Sequence, residues 1–247
     1  MKRKELAAVI ATAVLWAAVL VNLSRHIAPM AGMAAGLGIL LFGAWRRPDN
    51  RLALYIIGMF FPAYVLIDAT LLATMGKSVS HRRLLDDLFS RMEGGVSAQV
   101  FHWSQHHPAV AVPFAMAYGA IGIFIAISLA FGDWRRILRA YAWMLLIAPV
   151  FYLIFPAVGP GYLTDASAPI NCLPSVHLTT AILGTVYLPR PWKWVGVVFI
   201  ALTACATITT GQHYLIDLVA SVPFAAMIVK LVNWRPATSH GRAPQAA

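Results

Sequence analysis

The fold class this chain predicts is all-α, a polytopic membrane helical bundle, and three observations carry it. Of its 247 residues 60% are hydrophobic, only 11% are charged, and the mean hydropathy is +0.72. A soluble domain carries about 25% charged residues, so this chain has too few to cover a water-facing surface. Several apolar runs approach the roughly 20 residues with which a helix crosses the hydrocarbon core. The short alternating segments of a barrel are not visible, and backbone groups in lipid must be satisfied internally, which leaves helices.

The apolar runs predict eight helices, over residues 5–23, 27–45, 52–75, 109–131, 137–155, 175–188, 194–210 and 213–232. The first follows a basic start and could pass for a signal peptide. It lacks a small-residue cleavage site followed by a soluble domain, so it reads as a retained span. Residues 1–50 then form a two-span N-terminal addition, and residues 51–233 form the membrane core. Residues 234–247 form a polar tail expected to be disordered.

Between the third and fourth helices, residues 77–108 mix Lys77, His81, Arg82, Arg83, Asp86, Asp87 and Arg91 with Leu84, Leu85, Leu88 and Phe89. The apolar positions have helical spacing, which predicts an amphipathic helix lying on the outer leaflet. Residues 157–173 form a loop bearing proline and glycine. The sixth helix is short and starts at Pro174-Ser175, with proline expected just inside its first turn. The seventh and eighth nearly touch, so Gly211-Gln212 must form a tight turn or a kink.

Charge predicts the orientation. With the N-terminus inside, the inner segments hold 14 of the 19 lysines and arginines, among them Arg46, Arg47, Arg51, Arg135, Arg136, Arg139, Arg190, Lys193 and Lys230. The outer segments keep only Arg25, Lys77, Arg82, Arg83 and Arg91. Short loops with this asymmetry follow the positive-inside rule, so both termini are expected in the cytoplasm. The same scatter argues against a nucleic-acid patch as the use of the +10 charge. Cys172 and Cys205 make no metal-spaced pair, and a disulfide between them stays open.

Two motifs carry chemistry. In P-S-V-H, Pro174 to His177, a helix start presents free backbone N–H groups and a dipole that favour an anion, with His177 beside it. The plainer reading is a helix cap with an interfacial histidine. In G-Q-H-Y-L-I-D, Gly211 to Asp217, His213 and Asp217 are four apart and are expected to share one helix face. A carboxylate on one imidazole nitrogen fixes the tautomer and leaves the other nitrogen free as a nucleophile. The plainer reading is a polar pair between packed helices, although an aspartate in a membrane span is costly. The charge argument alone puts His177 and His213 at the same membrane face.

P-S-V-H followed 36 positions later by the histidine of H-Y-L-I-D resembles the membrane branch of the type 2 phosphatidic acid phosphatase superfamily. The resemblance implies a six-helix core, here residues 52–232, and a reaction without metal or cofactor. It makes His213 the nucleophile of a phosphohistidine intermediate, Asp217 its orienting partner and His177 the general acid. The substrate it implies is a phospholipid or isoprenoid phosphate, and the setting an integral protein of a bacterial inner membrane working on the non-cytoplasmic face.

Departures from the family refine this. Phosphatases of the superfamily carry an arginine six residues before the second histidine, where this chain has Thr207. Their first motif supplies a lysine and an arginine, whereas the upstream loop here reads F-P-A-V-G-P-G-Y, Phe155 to Tyr162. Both changes resemble the subgroup containing inositol phosphorylceramide synthases, the aureobasidin A targets, which transfer a phosphorylated head group between lipids.

A phosphoryl-transfer site still needs positive charge on the equatorial oxygens. Arg82, Arg83 and the histidines His102, His106 and His107 are the candidates, with Tyr162 and Ser175 as further donors to phosphate. Membrane anchoring for Tyr162, capping for Ser175 and contact with lipid phosphates for the arginines are the plainer alternatives. Asp68 of the third span either serves the site or bonds a neighbouring helix, and the structural reading is preferred. The competing functional classes are a transporter using His213 and Asp217 as an ion site, and a non-catalytic scaffold.

Overall fold

The computed structural model describes residues 38, 82–162 and 172–234. Apart from Gly38, the first three expected spans lie outside the described residues, with Asp68, the tail beyond Trp234 and the side chains of Arg82, Arg83 and Tyr162. The described residues form helices and turns only. In chain order these are α1 (Arg82–Met92), α2 (Val96–Gln105), α3 (Pro108–Gly119), α4 (Ile121–Phe131), α5 (Trp134–Ile154), α6 (Val176–Tyr187), α7 (Lys193–Thr209) and α8 (Leu215–Asn233). Single 3-10 turns lie at Pro160–Tyr162 and Arg190–Trp192.

Three of these segments are long and apolar enough to cross a membrane: α5, α7 with its preceding turn, and α8. The expected span 109–131 is broken into α3 and α4, which bend by 42° at Ala120 and together reach spanning length. The expected span 175–188 is only the 12-residue α6. At 1.5 Å per residue it measures about 18 Å, short of the roughly 30 Å hydrocarbon core. The expected outer amphipathic helix is two helices, α1 and α2, separated by Gly94 and Gly95.

The short α6 lies at the centre, packed against α4, α5, α7 and α8. Ile137, Leu183 and Ile228 are fully buried there, with Tyr141, Met144 and Phe224 around them. The opposite surfaces of the long helices are apolar too. Leu146 and Leu153 of α5 are each 66% exposed, and Val219 of α8 is 70% exposed. A continuous apolar surface of this kind is untenable in water and suits lipid, which marks an integral membrane protein.

Antiparallel alternation decides what meets at each end. The start of α5, the end of α6, the start of α7 and the end of α8 share one end, tied by the Asp133 N–H donating to the Tyr187 carbonyl at 3.1 Å. Arg135, Arg136, Arg139, Arg190, Lys193 and Lys230 collect there with Trp134, Trp192 and Trp194. Asp133 caps α5 by accepting from the Arg136 N–H and pairs with the same guanidinium at 3.3 Å. The other end holds the ends of α5 and α7 and the starts of α6 and α8. His177, at the start of α6, therefore lies about 18 Å, the length of that 12-residue helix, from the basic end.

The turn between α7 and α8 is made by Gly211, whose φ of 71° lies in the left-handed region. It lets the Gln212 and His213 N–H groups both donate to the Thr207 carbonyl, at 3.0 and 3.3 Å. The glycine loop after α5 docks on it: the Gly161 N–H donates to the Gly211 carbonyl at 2.8 Å, and a Cβ on Gly211 would sit 2.7 Å from the Gly161 Cα. Gly211→Ala is expected to cost about 2–4 kcal/mol through left-handed strain plus the clash. Thermal unfolding in detergent micelles would show this as a lowered midpoint, and an unchanged midpoint would refute the loop contact.

Candidate functional site

Each motif is held by its own backbone before the two meet. Ser175 is the N-cap of α6, and its buried hydroxyl accepts from the Leu178 N–H at 3.4 Å. Pro174 therefore precedes the cap and is not inside the first turn as expected. His177 follows in the first turn, half-buried. The Ser175 side chain performs the plainer of its two expected tasks and makes the end of α6 a stable set of N–H donors.

In the second motif α8 begins at Leu215, not at His213. His213 and Asp217 consequently do not share a helix face. The turn at Gly211 brings His213 back over the first turn of α8, where its Nδ1 lies 3.5 Å from Asp217 Oδ2. The same carboxylate oxygen accepts from the Tyr214 N–H at 2.8 Å, so Asp217 also caps its helix. A carboxylate at that end gains from the N–H groups and the helix dipole, typically about 1 kcal/mol. Both side chains are buried.

The motifs are then clamped to each other. The Ser221 hydroxyl lies 2.7 Å from the Asp217 carbonyl and 3.1 Å from the Ser175 carbonyl, and the Ser175 N–H reaches the Asp217 carbonyl at 3.5 Å. As a result the His177 and His213 rings face each other edge to face, with centroids 6.1 Å apart. At that separation the two rings are in edge-to-face contact, which brings both imidazoles to the same point at this end of the bundle.

Two residues that the motifs did not single out complete the pair. Tyr118 of α3 packs against His177 at a tilt of 40° with ring centroids 4.4 Å apart, and its hydroxyl lies 2.6 Å from His177 Nε2. The same hydroxyl donates to Gln212 Oε1 in a short bond. With its proton on Gln212, the Tyr118 oxygen is an acceptor for a ring N–H of His177, lying 2.6 Å from Nε2 and 3.1 Å from Nδ1, and holds the ring in place. A tyrosine alone in an apolar run was the available signal. Gln212 stood inside the quoted motif without a role.

A third residue holds the loops around the site. Asp86 of α1 is buried, and its carboxylate accepts from the Val158 N–H at 3.2 Å, the Gly159 N–H at 3.1 Å and the Tyr214 hydroxyl at 2.9 Å. Burial pushes its carboxyl above the usual range, against the Tyr214, Gly159 and Val158 hydrogen bonds that favour the ionised form. Nearby, Glu93 Oε2 accepts from the Leu215 N–H at 2.7 Å. The amphipathic pattern pointed elsewhere: Leu88, expected on the apolar face, is 47% exposed, while Asp86 is 2% exposed.

The expected phosphate-binding cations are only partly placed. The side chains of Arg82, Arg83 and Tyr162 are not among those described. His106 caps α2 and is exposed, and its side chain makes no hydrogen bond or ring contact among the described residues. His107 stacks on Trp103 and bonds to the Trp103 carbonyl at 2.8 Å instead of reaching the site. Among the described side chains, Arg91 is the only lysine or arginine at the histidine end, and it is exposed.

Thr207, where the family arginine would stand, is fully buried with its hydroxyl on the Ala204 carbonyl. The cysteines form no disulfide: Cys205 is exposed on α7, and Cys172 is buried, its thiol donating to the Gln212 carbonyl at 3.1 Å.

Residues 161–231 match the family model described as the PAP2 superfamily. That stretch contains both histidine motifs and ends within α8. No curated protein matches the chain, and no solved structure does.

Removing the Asp86 carboxylate strands two loop N–H groups and the Tyr214 hydroxyl, at about 1–3 kcal/mol for each buried donor left unpaired. Asp86→Ala is therefore expected to lower the thermal midpoint in detergent far more than Asp86→Asn, which keeps an acceptor and carries no charge. Equal midpoints for the two variants would show that the carboxylate does not hold the loops.

Proposed function

We propose that the chain is a membrane enzyme that cleaves a phosphoester or pyrophosphate bond of a lipid through a phosphohistidine on His213. The observation that carries this reading is the convergence of His177, His213 and Asp217, from two separate helix starts, with the two imidazoles edge to face. The PAP2 match over both motifs supports it independently.

In the first half-reaction the lone pair of a His213 ring nitrogen attacks phosphorus. An N–P bond forms as the P–O bond to the leaving group breaks, and His177 gives that oxygen a proton. In the second half, an acceptor hydroxyl passes its proton to His177 and attacks phosphorus, and the N–P bond breaks. Asp217 beside Nδ1 holds the proton on that nitrogen and steadies the positive ring. At 3.5 Å the contact is long for a hydrogen bond, and catalytic contacts of this kind tighten when substrate binds. Tyr118 holds His177 in register. The reading assigns no role to a metal ion.

A lipid as substrate is supported by an apolar cavity of about 290 Å³ between α5 and α8, lined by Phe151, Phe155, Leu173, Pro174 and Phe224. Its wall at Pro174 is one residue from the α6 cap, so a hydrocarbon chain there would put its phosphate at the helix start. The first-turn N–H groups of α6 supply part of the charge stabilisation, and Arg82 and Arg83 remain the candidates for the rest.

Transfer of a head group to a lipid alcohol, in place of hydrolysis, is favoured by the buried Thr207 where the phosphatase arginine would stand. The site is taken to face the non-cytoplasmic side, since the basic residues gather at the opposite end.

Incubation with phosphate-labelled lipid and an acid quench is expected to trap acid-labile label on the wild type and none on His213→Ala. His177→Ala should slow turnover about 10²- to 10⁴-fold, the usual worth of a positioned general acid. Tyr118→Phe should cost roughly 10-fold with little change in KM, as expected for a residue that orients the acid. Label on His213→Ala equal to wild type would sink the mechanism. In a second experiment, added lipid alcohol should yield a new labelled phospholipid. Free phosphate as the sole product would leave a plain phosphatase. Turnover should persist in excess chelator, and its loss there would overturn the metal-free chemistry.

A further inference from the structure

Cys172 takes no part in the reaction outlined above, yet it lies against the nucleophilic pair. Its Sγ, a His213 ring nitrogen and an Asp217 carboxylate oxygen all fall within 4.8 Å of one another, on three buried residues. His213 Nδ1 and Asp217 Oδ1 are buried without a hydrogen-bond partner among the described residues. Leaving such atoms unpaired costs about 1–3 kcal/mol each, and a cation between them would satisfy both.

The donor set selects the ion. One thiol, one imidazole and one carboxylate form a borderline-soft group that suits Zn²⁺ and its relatives, whereas Mg²⁺ and Ca²⁺ take oxygen ligands. A tetrahedral ion with bonds of about 2.0–2.3 Å spaces its ligand atoms roughly 3.3–3.7 Å apart. The separation of 3.5 Å between His213 Nδ1 and Asp217 Oδ2 has that spacing, and Oδ1 of the same carboxylate is the oxygen without a partner among the described residues. The thiol must close in by about 1 Å at most to meet the bond lengths of such an ion, giving up its bond to the Gln212 carbonyl.

We propose that Cys172, His213 and Asp217 form a three-ligand site for Zn²⁺ or a similar soft divalent cation, and that its occupation silences the nucleophile. On binding, the thiol proton leaves to solvent as the sulfur–metal bond forms. The ion takes His213 Nδ1, whose proton moves to Nε2 through solvent, claims the Asp217 carboxylate, and so removes the free lone pair that must attack phosphorus. Its fourth position stays open and would hold a phosphate oxygen in a dead-end complex. The binding half stands on geometry alone, while the silencing half rests on the reaction proposed above.

The test uses the purified full chain in detergent and Co²⁺ as the probe. Titration should develop a thiolate-to-cobalt charge-transfer band in the near ultraviolet, and added Zn²⁺ should bleach it. The band should survive in Cys205→Ser and vanish in both Cys172→Ser and Cys172→Ala, with thermal midpoints reporting that these variants fold. No band in the wild type, or a band that persists without Cys172, overturns the site. Zn²⁺ should also lower lipid-phosphate turnover roughly 10-fold or more, reversibly with chelator, and much less in Cys172→Ser. Undiminished turnover with the cobalt band saturated overturns the silencing. A cobalt band in a protein that never turns over lipid phosphate supports the cation site and sinks the enzymatic reading instead.

Discussion

The first turn of α8 is where the structure is tied together, and the Asp217 residue ties it. Its carboxylate caps the helix through the Tyr214 N–H and faces His213, while its carbonyl receives the Ser221 hydroxyl and the Ser175 N–H from the neighbouring motif. The carboxylate is held through Oδ2 by the Tyr214 N–H beside His213, while the main-chain carbonyl carries the contacts to the neighbouring motif. Those same groups aim His213 and hold the start of α6 in place. Capping, motif docking and orientation of the imidazole are therefore one arrangement, and loosening any part of it would move the others.

Around that point the surrounding segments meet through backbone more than through side chains. Gly159 and Gly211 let two loops touch at distances no Cβ would allow. Asp86 then closes over them from α1, answering two loop N–H groups and the Tyr214 hydroxyl together. Such contacts are directional and leave little room to slide. They explain how a site at the end of a lipid-facing bundle, where irregular backbone is most exposed, keeps a fixed geometry. The short α6 contributes as well: because it stops well short of a full span, its start lies inside the protein instead of at the lipid boundary.

Reading the chain by pattern worked where the physics is local. Apolar runs located α5, α7 and α8 within a few residues, because a span must be both long and apolar and few other constraints compete. It misplaced the starts of α6 and α8, since a cap depends on one hydroxyl or carboxylate finding one N–H. The pairing of His213 with Asp217 was expected for the wrong reason: spacing implied a shared helix face, and the turn at Gly211 supplied the contact. On α1 the polarity pattern could not tell Asp86 from Asp87, because a carboxylate turns inward only when donors from distant loops await it.

What the amino-acid sequence determined by itself was an apolar helical protein with its basic residues set apart from two histidine motifs. Composition and spacing along one chain are sufficient for that, because the bilayer imposes the same length and polarity on every span. What only the tertiary structure decided was the company those motifs keep. Tyr118 lies 59 positions before His177, and Asp86 lies 128 positions before Tyr214. Contacts across such separations arise when helices fold back antiparallel. They leave no periodic trace in the chain, because either partner alone looks like an ordinary polar residue in its own segment.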